Sequence, residues 1–451
     1  MKNLFVLILF SIVLAIPTQA QKTYKYRIAF TDKTGTKFCI DHPLDFLSVR
    51  ALERRARQQL TVDSTDLPVS QVYLKELTVT GARVVATSKW NNTAVVEVLD
   101  TLVIEPLGKL PFVKDVKKVW TQPDSIPLRN AGRKKEVTNK VEKTKEFYGK
   151  GFQQINLHGG DSLHIAGFCG EGMHVAVIDA GFYNVDQIKF FKKMHLLGTR
   201  DFVNPKSDIY AENNHGMMVL SCMAANTPKV YVGTAPKASY WLLRSEDDDS
   251  EQLVEEDYWA AAIEFADSVG VDVVNTSLGY YAFDDASVNY RYRNLDGHYS
   301  LMSHSASMAA DKGMVVVCSA GNSGRGAWKK ITPPGDAENV ITVGALTRDL
   351  INTEFSSVGN TADGRIKPDA MAIGYRSTVS GNDGTVSHAN GTSFASPTLC
   401  GVVTCFWQAC PWLTAKEVVQ VVQQAGDRSD CPDNIYGYGV PNLWKAYLKL
   451  K

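Results

Sequence analysis

The sequence predicts an α/β domain with a doubly wound, mainly parallel sheet flanked by helices, preceded by a small α+β domain. Three observations carry this. From residue 173 onward, five short and nearly continuous apolar runs alternate with helix-like segments, as in a parallel sheet covered on both faces. Before them, about 100 residues alternate strand and helix patterns of mixed polarity. The length of 451 residues, with 44% hydrophobic and 21% charged, suits two or three globular domains and excludes a disordered, collagen-like or multi-span membrane chain.

The elements follow in chain order. Lys2, the apolar run from Leu4 to Ile16 and the small residue Ala20 read as a secretory leader over 1–20, so an exported (periplasmic or extracellular) protein without a stable membrane anchor is expected. In 21–120, Tyr26, Ile28 and Phe30 alternate as a strand. Ala51, Leu52, Ala56 and Leu60 mark a helix, and a second lies near Ser70–Val79. Strands near Arg83–Thr87 and Ala94–Val98 flank the turn Trp90-Asn91-Asn92; a short helix near Thr101–Leu107 and a strand over Val113–Trp120 complete the module. Residues 121–147 are lysine- and arginine-rich and apolar-poor, a solvated linker whose lysine-rich half equally suits a surface helix. In 148–451 the buried strands are expected at Met173–Ile178, Ala238–Leu243, Val271–Val274, Met314–Val317 and Val340–Val343.

Active sites of such sheets lie beyond the carboxyl ends of the strands, which directs attention to the polar residues there. The first run ends in Asp179-Ala180-Gly181; His215-Gly216 opens an apolar helix pattern; Gly391-Thr392-Ser393-Phe394-Ala395-Ser396-Pro397 sets a serine at the start of another. A serine hydroxyl is a poor nucleophile unless a base takes its proton and a third group fixes that base. Asp179, His215 and Ser393 supply those parts. Ser319-Ala320-Gly321-Asn322 follows the strand at Met314, and the Asn322 amide could donate to a developing oxyanion. Each pattern alone suits a turn or a helix cap; their coincidence at strand ends and helix starts carries the inference.

These four blocks, with Asn275-Thr276-Ser277-Leu278-Gly279 and Pro334-Gly335, resemble the signature segments of the subtilisin-like serine proteases over about residues 148–446. The resemblance implies an exported serine endopeptidase acting through an acyl-enzyme, with Asp179, His215 and Ser393 as triad and Asn322 as oxyanion donor. It further implies that Ser277, Leu278, Gly279, Ala320 and Gly321 bind substrate, and that Thr332 floors a pocket. Residues 21–120 are similar in order of elements to subtilase propeptides, which implies a self-processing zymogen. Two positions depart from the family pattern: Ala180 stands where many relatives have serine or threonine, and Met217 where threonine is usual.

Ser245–Asp257 holds eight carboxylates in thirteen residues, a candidate for stabilising a helix start, for favouring basic substrate side chains, or for binding structural calcium. No cofactor is expected for the chemistry itself, and no metal ligand is assigned. Of eight cysteines, Cys410 and Cys431 are the expected disulfide, and Cys318 is expected to be a buried thiol. The expected partners are protein or peptide substrates and the chain's own propeptide; nucleic acid is not expected, and the protein should act as a monomer. A non-catalytic scaffold of the same fold is the rival reading. An α/β-hydrolase esterase would need Gly-x-Ser-x-Gly and another residue order, and a metalloprotease His-Glu-x-x-His. The overall neutrality conceals a split: residues 21–150 carry 24 basic and 15 acidic groups, and the rest is acidic.

Overall fold

The computed structural model describes residues 22–123 and 143–451. The expected leader and most of the expected linker lie outside the described residues.

The N-terminal domain runs β1 (Tyr24–Phe30), α1 (Val49–Arg57), α2 (Gln71–Val79), β2 (Arg83–Ser88), β3 (Thr93–Val98), α3 (Ile104–Gly108) and β4 (Val113–Thr121). Its antiparallel sheet has the order β2-β3-β1-β4. Ser48 and Ser70 begin α1 and α2 by accepting the backbone N–H of Ala51 and Tyr73, which satisfies donors that a helix start leaves open. Ile28, Phe30, Leu77, Val96 and Leu107 form its core.

The second domain begins with three short helices, α4 (Lys143–Tyr148), α5 (Phe152–Leu157) and α6 (Gly160–Ile165). The lysine-rich end of the expected linker is thus helical. Next come β5 (His174–Asp179), β6 (His195–Asp201), α7 (His215–Ala224), β7 (Asn226–Thr227), β8 (Tyr231–Val232), β9 (Ser239–Arg244) and α8 (Val254–Ser268). The chain continues through β10 (Val273–Thr276), α9 (Leu301–Asp311), β11 (Val315–Ser319), β12 (Ile341–Leu346) and β13 (Ala370–Ile373). It closes with β14 (Ser377–Ser380), β15 (Val386–Ala389), α10 (Thr392–Ala409), α11 (Ala415–Gln424) and α12 (Leu443–Leu450).

Seven parallel strands form one sheet in the order β13-β12-β11-β10-β5-β9-β6. Strand β5 shows why its sequence is apolar throughout. Val175 and Val177 join the core that α7 and α10 cover, while Ala176 and Ile178 join the one that α8 and α9 cover. All five expected strands are present. The two outer strands were not expected, for different reasons: β6 (His-Leu-Leu-Gly-Thr-Arg-Asp) mixes polar and apolar residues at a sheet edge, and β13 has only four residues.

The expected Cys410–Cys431 bridge is not formed: all eight cysteines are free. Cys410 is buried at the end of α10, whereas Cys431 is exposed in the loop before Pro432. Cys318 is buried on β11, as its apolar neighbours suggest. His388 lies on β15 opposite Thr378.

One face of α8 binds the N-terminal domain. Asp257, Glu264 and Asp267 are spaced by seven and three residues and so share a face. Arg27 on β1 donates Nε and Nη2 to the two carboxylate oxygens of Asp257 at 2.6 and 2.7 Å. Glu264 takes the Ser88 hydroxyl and the backbone N–H groups of Lys89 and Trp90 at 2.5–3.0 Å. Asp267 accepts from Arg54, Arg55 and Lys89 at 2.5–2.9 Å, with all four side chains buried or nearly so. Burial alone would raise the Asp267 carboxyl; three cations overcome it and hold the group well below the usual carboxylate range. Removing one member of such a set strands the others without a partner. In the Ser393→Ala background, which keeps the two domains in one chain, Asp267→Ala is therefore expected to lower unfolding stability by about 3–5 kcal/mol, read as a lower denaturation midpoint. A midpoint equal to that of Ser393→Ala alone would contradict the pairing.

Candidate active site

The end of β5 and the start of α7 meet because the residues between them are small. A Cβ added to Gly216 would lie 2.4 Å from the Gly181 carbonyl and 2.8 Å from Asp179 Cβ. No side chain fits there, and the approach lets His215 Nδ1 donate to Asp179 Oδ1 at 2.7 Å. Asp179 is fully buried, and the same oxygen accepts the Ala180 N–H at 2.9 Å. Its other oxygen, Oδ2, is buried without a hydrogen-bond partner. Ala180 brings no hydroxyl to it. Met217 is fully buried among the apolar residues around α7. Asn213, which the sequence did not single out, accepts the His215 backbone N–H at 2.7 Å and donates its amide to Asp248.

With Nδ1 donating to a carboxylate, the neutral imidazole leaves its lone pair on Nε2. Burial works against a charged His215. The charge and hydrogen bond of Asp179 outweigh it, helped by Glu246 and Asp248, and push the imidazole up to about 9.

Ser393 is the second residue of α10. Four residues later comes Pro397, which has no N–H to give the Ser393 carbonyl. The Ser277 hydroxyl takes that place, donating to it at 2.9 Å. Ser396 donates to Asn275 Oδ1 at 2.9 Å, and the Asn275 amide donates to Ser277 Oγ at 3.2 Å. These bonds fasten the end of β10 to the start of α10. The Ser393 hydroxyl is turned towards the Ser277 carbonyl, 3.4 Å away, and not towards His215. The imidazole lies beside the ring of the next residue, Phe394, at 5.8 Å between centroids.

Asn322 stands three residues beyond β11. Its Oδ1 accepts the Thr392 N–H at 2.9 Å and the Thr392 hydroxyl at 3.1 Å. A backbone N–H can only donate, so these bonds fix the carbonyl end of the amide and turn its NH2 end away from α10. The Thr392 hydroxyl also accepts the Gly321 N–H at 3.2 Å. Thr392 thus orients Asn322, a role hidden in the sequence because threonine at a helix start suits a plain cap.

His215, Asn322, Ser277, Leu278, Gly279, Gly321 and Thr332 line one cleft of about 510 Å³. Ala320 does not share it. It is fully buried with Leu295 and Ile331, because its N–H and carbonyl bond to Val343 and Thr332 within the fold. The buried Thr332 hydroxyl has no partner, and its oxygen lies 2.3 Å from where a Gly279 Cβ would be and 2.9 Å from that of Gly321. A larger cavity, of about 860 Å³, lies between the N-terminal domain and α8 and contains none of these residues.

Comparison with known proteins identifies the family. Residues 170–439 match the model of the Subtilase family. The chain belongs to the subtilase family. Residues 25–138 match the model of the Peptidase S8 propeptide domain of Bacteroidota, so this subtilase carries a propeptide domain ahead of its family domain. It is 30% identical to Serine protease AprX of Bacillus subtilis (strain 168) over 303 residues, 60% of this chain and 65% of that protein. It is 29% identical to the Thermophilic serine proteinase of Bacillus sp. (strain AK1), covering 61% of each. It is also 29% identical to Subtilisin DY of Bacillus licheniformis, over 58% of this chain and 87% of that one. The subtilase thus spans just under two thirds of the length of the first two relatives.

The acidic run does not gather on one ion. Glu255 accepts the N–H groups of Asp247 and Gln252, Glu256 the hydroxyls of Tyr290 and Ser300, and Asp257 binds Arg27. Among the described residues no three His, Cys, Asp or Glu side chains converge as a metal site. The residues present therefore do not fit a calcium site built from this run.

The charge account makes a measurable statement about His215. Its imidazole resonances, assigned by their loss in His215→Gln, should titrate near 9, and Glu246→Gln should move that midpoint down because it removes a negative charge that favours the imidazolium. A midpoint at the ordinary 6.5 in the unaltered chain would contradict this account.

Proposed function

We propose that this subtilase is an exported serine endopeptidase made as a self-processing zymogen. The observation that carries the reading is the Asp179–His215 hydrogen bond beside the start of α10, where the two neighbours of Ser393 touch the other parts: Thr392 bonds Asn322, and the Phe394 ring lies beside His215. Asp179 holds His215 in the tautomer whose Nε2 can act as base. The reading requires the Ser393 hydroxyl to turn from the Ser277 carbonyl to that nitrogen. The Ser393 oxygen then attacks the peptide carbonyl while Nε2 takes its proton. The negative charge grows on the carbonyl oxygen, for which the Asn322 amide and the Ser393 N–H at the start of α10 are the donors. His215 returns the proton to the leaving amine, and water releases the acyl group by the same route.

The N-terminal domain supports the zymogen reading. It packs on α8 through buried ion pairs, and β4 ends at Thr121, whose backbone N–H and carbonyl bond the Gln252 side chain at 2.8 and 2.9 Å. Gln252 belongs to the loop that borders the cleft through Glu251. Substrates are proteins or peptides. Among the described residues, no helix is long and apolar enough to cross a membrane.

N-terminal sequencing of the purified protein tests activity and processing together. Wild type should lose its N-terminal domain by a cut between Trp120 and Lys150, and Ser393→Ala should remain uncut. Asn322→Ala is expected to lower turnover of a peptide substrate roughly 100- to 1,000-fold, a magnitude known from subtilisin, a member of this family. Because the base must be neutral, turnover should rise with pH towards about 9. Identical processing of wild type and Ser393→Ala, with no peptide cleavage by either, would favour the scaffold reading.

A further inference from the structure

The cleft carries acidic side chains that take no part in the proposed proton transfers. Glu246, Asp248 and Glu251 line it, and the lining contains no lysine or arginine. Asp248 is engaged by the Asn213 amide. Among the described residues no lysine or arginine pairs with Glu246 or Glu251: Arg27 and Lys25 are engaged by Asp257 and the Tyr258 hydroxyl, and the His215 imidazole is the opposing charge that acts on Glu246. Burial, followed by the neighbouring acids and against the pull of the His215 charge, pushes Glu246 up to about 8; burial, with Asp284 and Asp248, pushes Glu251 up to about 7.

A second observation comes from Tyr280. It lines the same cleft and is buried, yet its hydroxyl has no hydrogen-bond partner. Glu246 is the charged group that acts on it most strongly. Buried polar groups normally find partners, so the unpartnered Tyr280 hydroxyl, in a cleft with two half-buried carboxylates, leaves room for an incoming group that donates hydrogen bonds and carries positive charge. The acids do not converge on one point as a metal site requires. Their spread instead suits a long side chain ending in an ammonium or guanidinium.

We propose that Glu246, Glu251 and Tyr280 form a subsite for a lysine or arginine side chain of the bound peptide. The inference rests on the proteolytic reading above and adds its substrate class. The chain's own sequence offers the first such substrate. The residues following Thr121, which is held one residue from Glu251 by Gln252, include Arg129, Arg133, Lys134 and Lys135. Opposite charges across a docking site favour the matching partner and penalise acidic ones.

The test uses processed wild-type enzyme at pH 9, where both glutamates are ionised, and peptides that vary one position at a time over four residues on either side of the cut. The quantity read is the ratio of kcat/KM for lysine or arginine to that for alanine at the same position, so any effect of a substitution on His215 cancels. Wild type should show at least a tenfold ratio at one position, and Glu246→Gln combined with Glu251→Gln should bring it below threefold. A wild-type ratio near one in an active enzyme would overturn the subsite while leaving the protease reading intact. A ratio unchanged in the double variant would overturn the assignment to these residues. Activity lost on chelation and restored by calcium, without a basic preference, would show that the wall holds a metal cation instead. No turnover of any peptide would remove the protease reading and the subsite with it.

Discussion

The contact between the end of β5 and the start of α7 is the constraint on which the site depends. Asp179 and His215 lie 36 residues apart in sequence, and only the absence of a side chain at Gly216 lets their backbones come close enough for a 2.7 Å hydrogen bond. The other parts are fixed relative to that contact by the sheet. Strand β10 lies beside β5, and the Ser277 hydroxyl at its end takes the carbonyl that Pro397 leaves free at Ser393. Strand β11 lies beside β10, and the loop after it is tied to α10 through Thr392. Three adjacent parallel strands therefore set the positions of all the proposed catalytic groups, and a shift of any one would separate them.

The second organising feature is the acidic face of α8. Burying charges is costly, and such pairs often add little net stability compared with well-packed apolar residues. They do impose a strict match: Asp257, Glu264 and Asp267 each need a particular partner, and the N-terminal domain supplies Arg27, the turn at Lys89, and Arg54 with Arg55. The basic surplus of residues 21–150 and the acidic surplus of the remainder thus have a structural expression at this interface. Long-range attraction between the two surfaces would guide docking, and the buried contacts then fix its register. Glu246 and Glu251 stay on the cleft, where no residue of the N-terminal domain is among the lining.

Much of this was legible in the sequence because the signals are local. Continuous apolar runs announce strands buried on both faces, and β5, β9, β10, β11 and β12 all carry one. Edge strand β6 does not, since a half-exposed strand tolerates Thr199 and Arg200. The residue types at Asp179, His215, Ser393 and Asn322 stood out because they follow strands or open helices. The residues that hold them in place did not. Asn213, Thr392 and Gly216 act through contacts with segments far away in the chain, and each suits an ordinary turn or cap when read alone. The acidic run shows the same limit: its composition was plain, but only the fold separates Glu255, Glu256 and Asp257, which are spent internally, from Glu246 and Glu251. The resemblance groups Ala320 with Gly321, yet Gly321 lines the cleft and Ala320 is buried beside Leu295 and Ile331.

The central claim is that one serine, activated by His215 and Asp179, does the chemistry. Reaction of the processed protein with a fluorophosphonate, followed by peptide mass mapping, tests it most directly. The account predicts a single adduct on Ser393, formed faster as pH rises towards 9 and lost in His215→Ala. An adduct on another serine, or labelling of Ser393 that does not depend on His215, would contradict it.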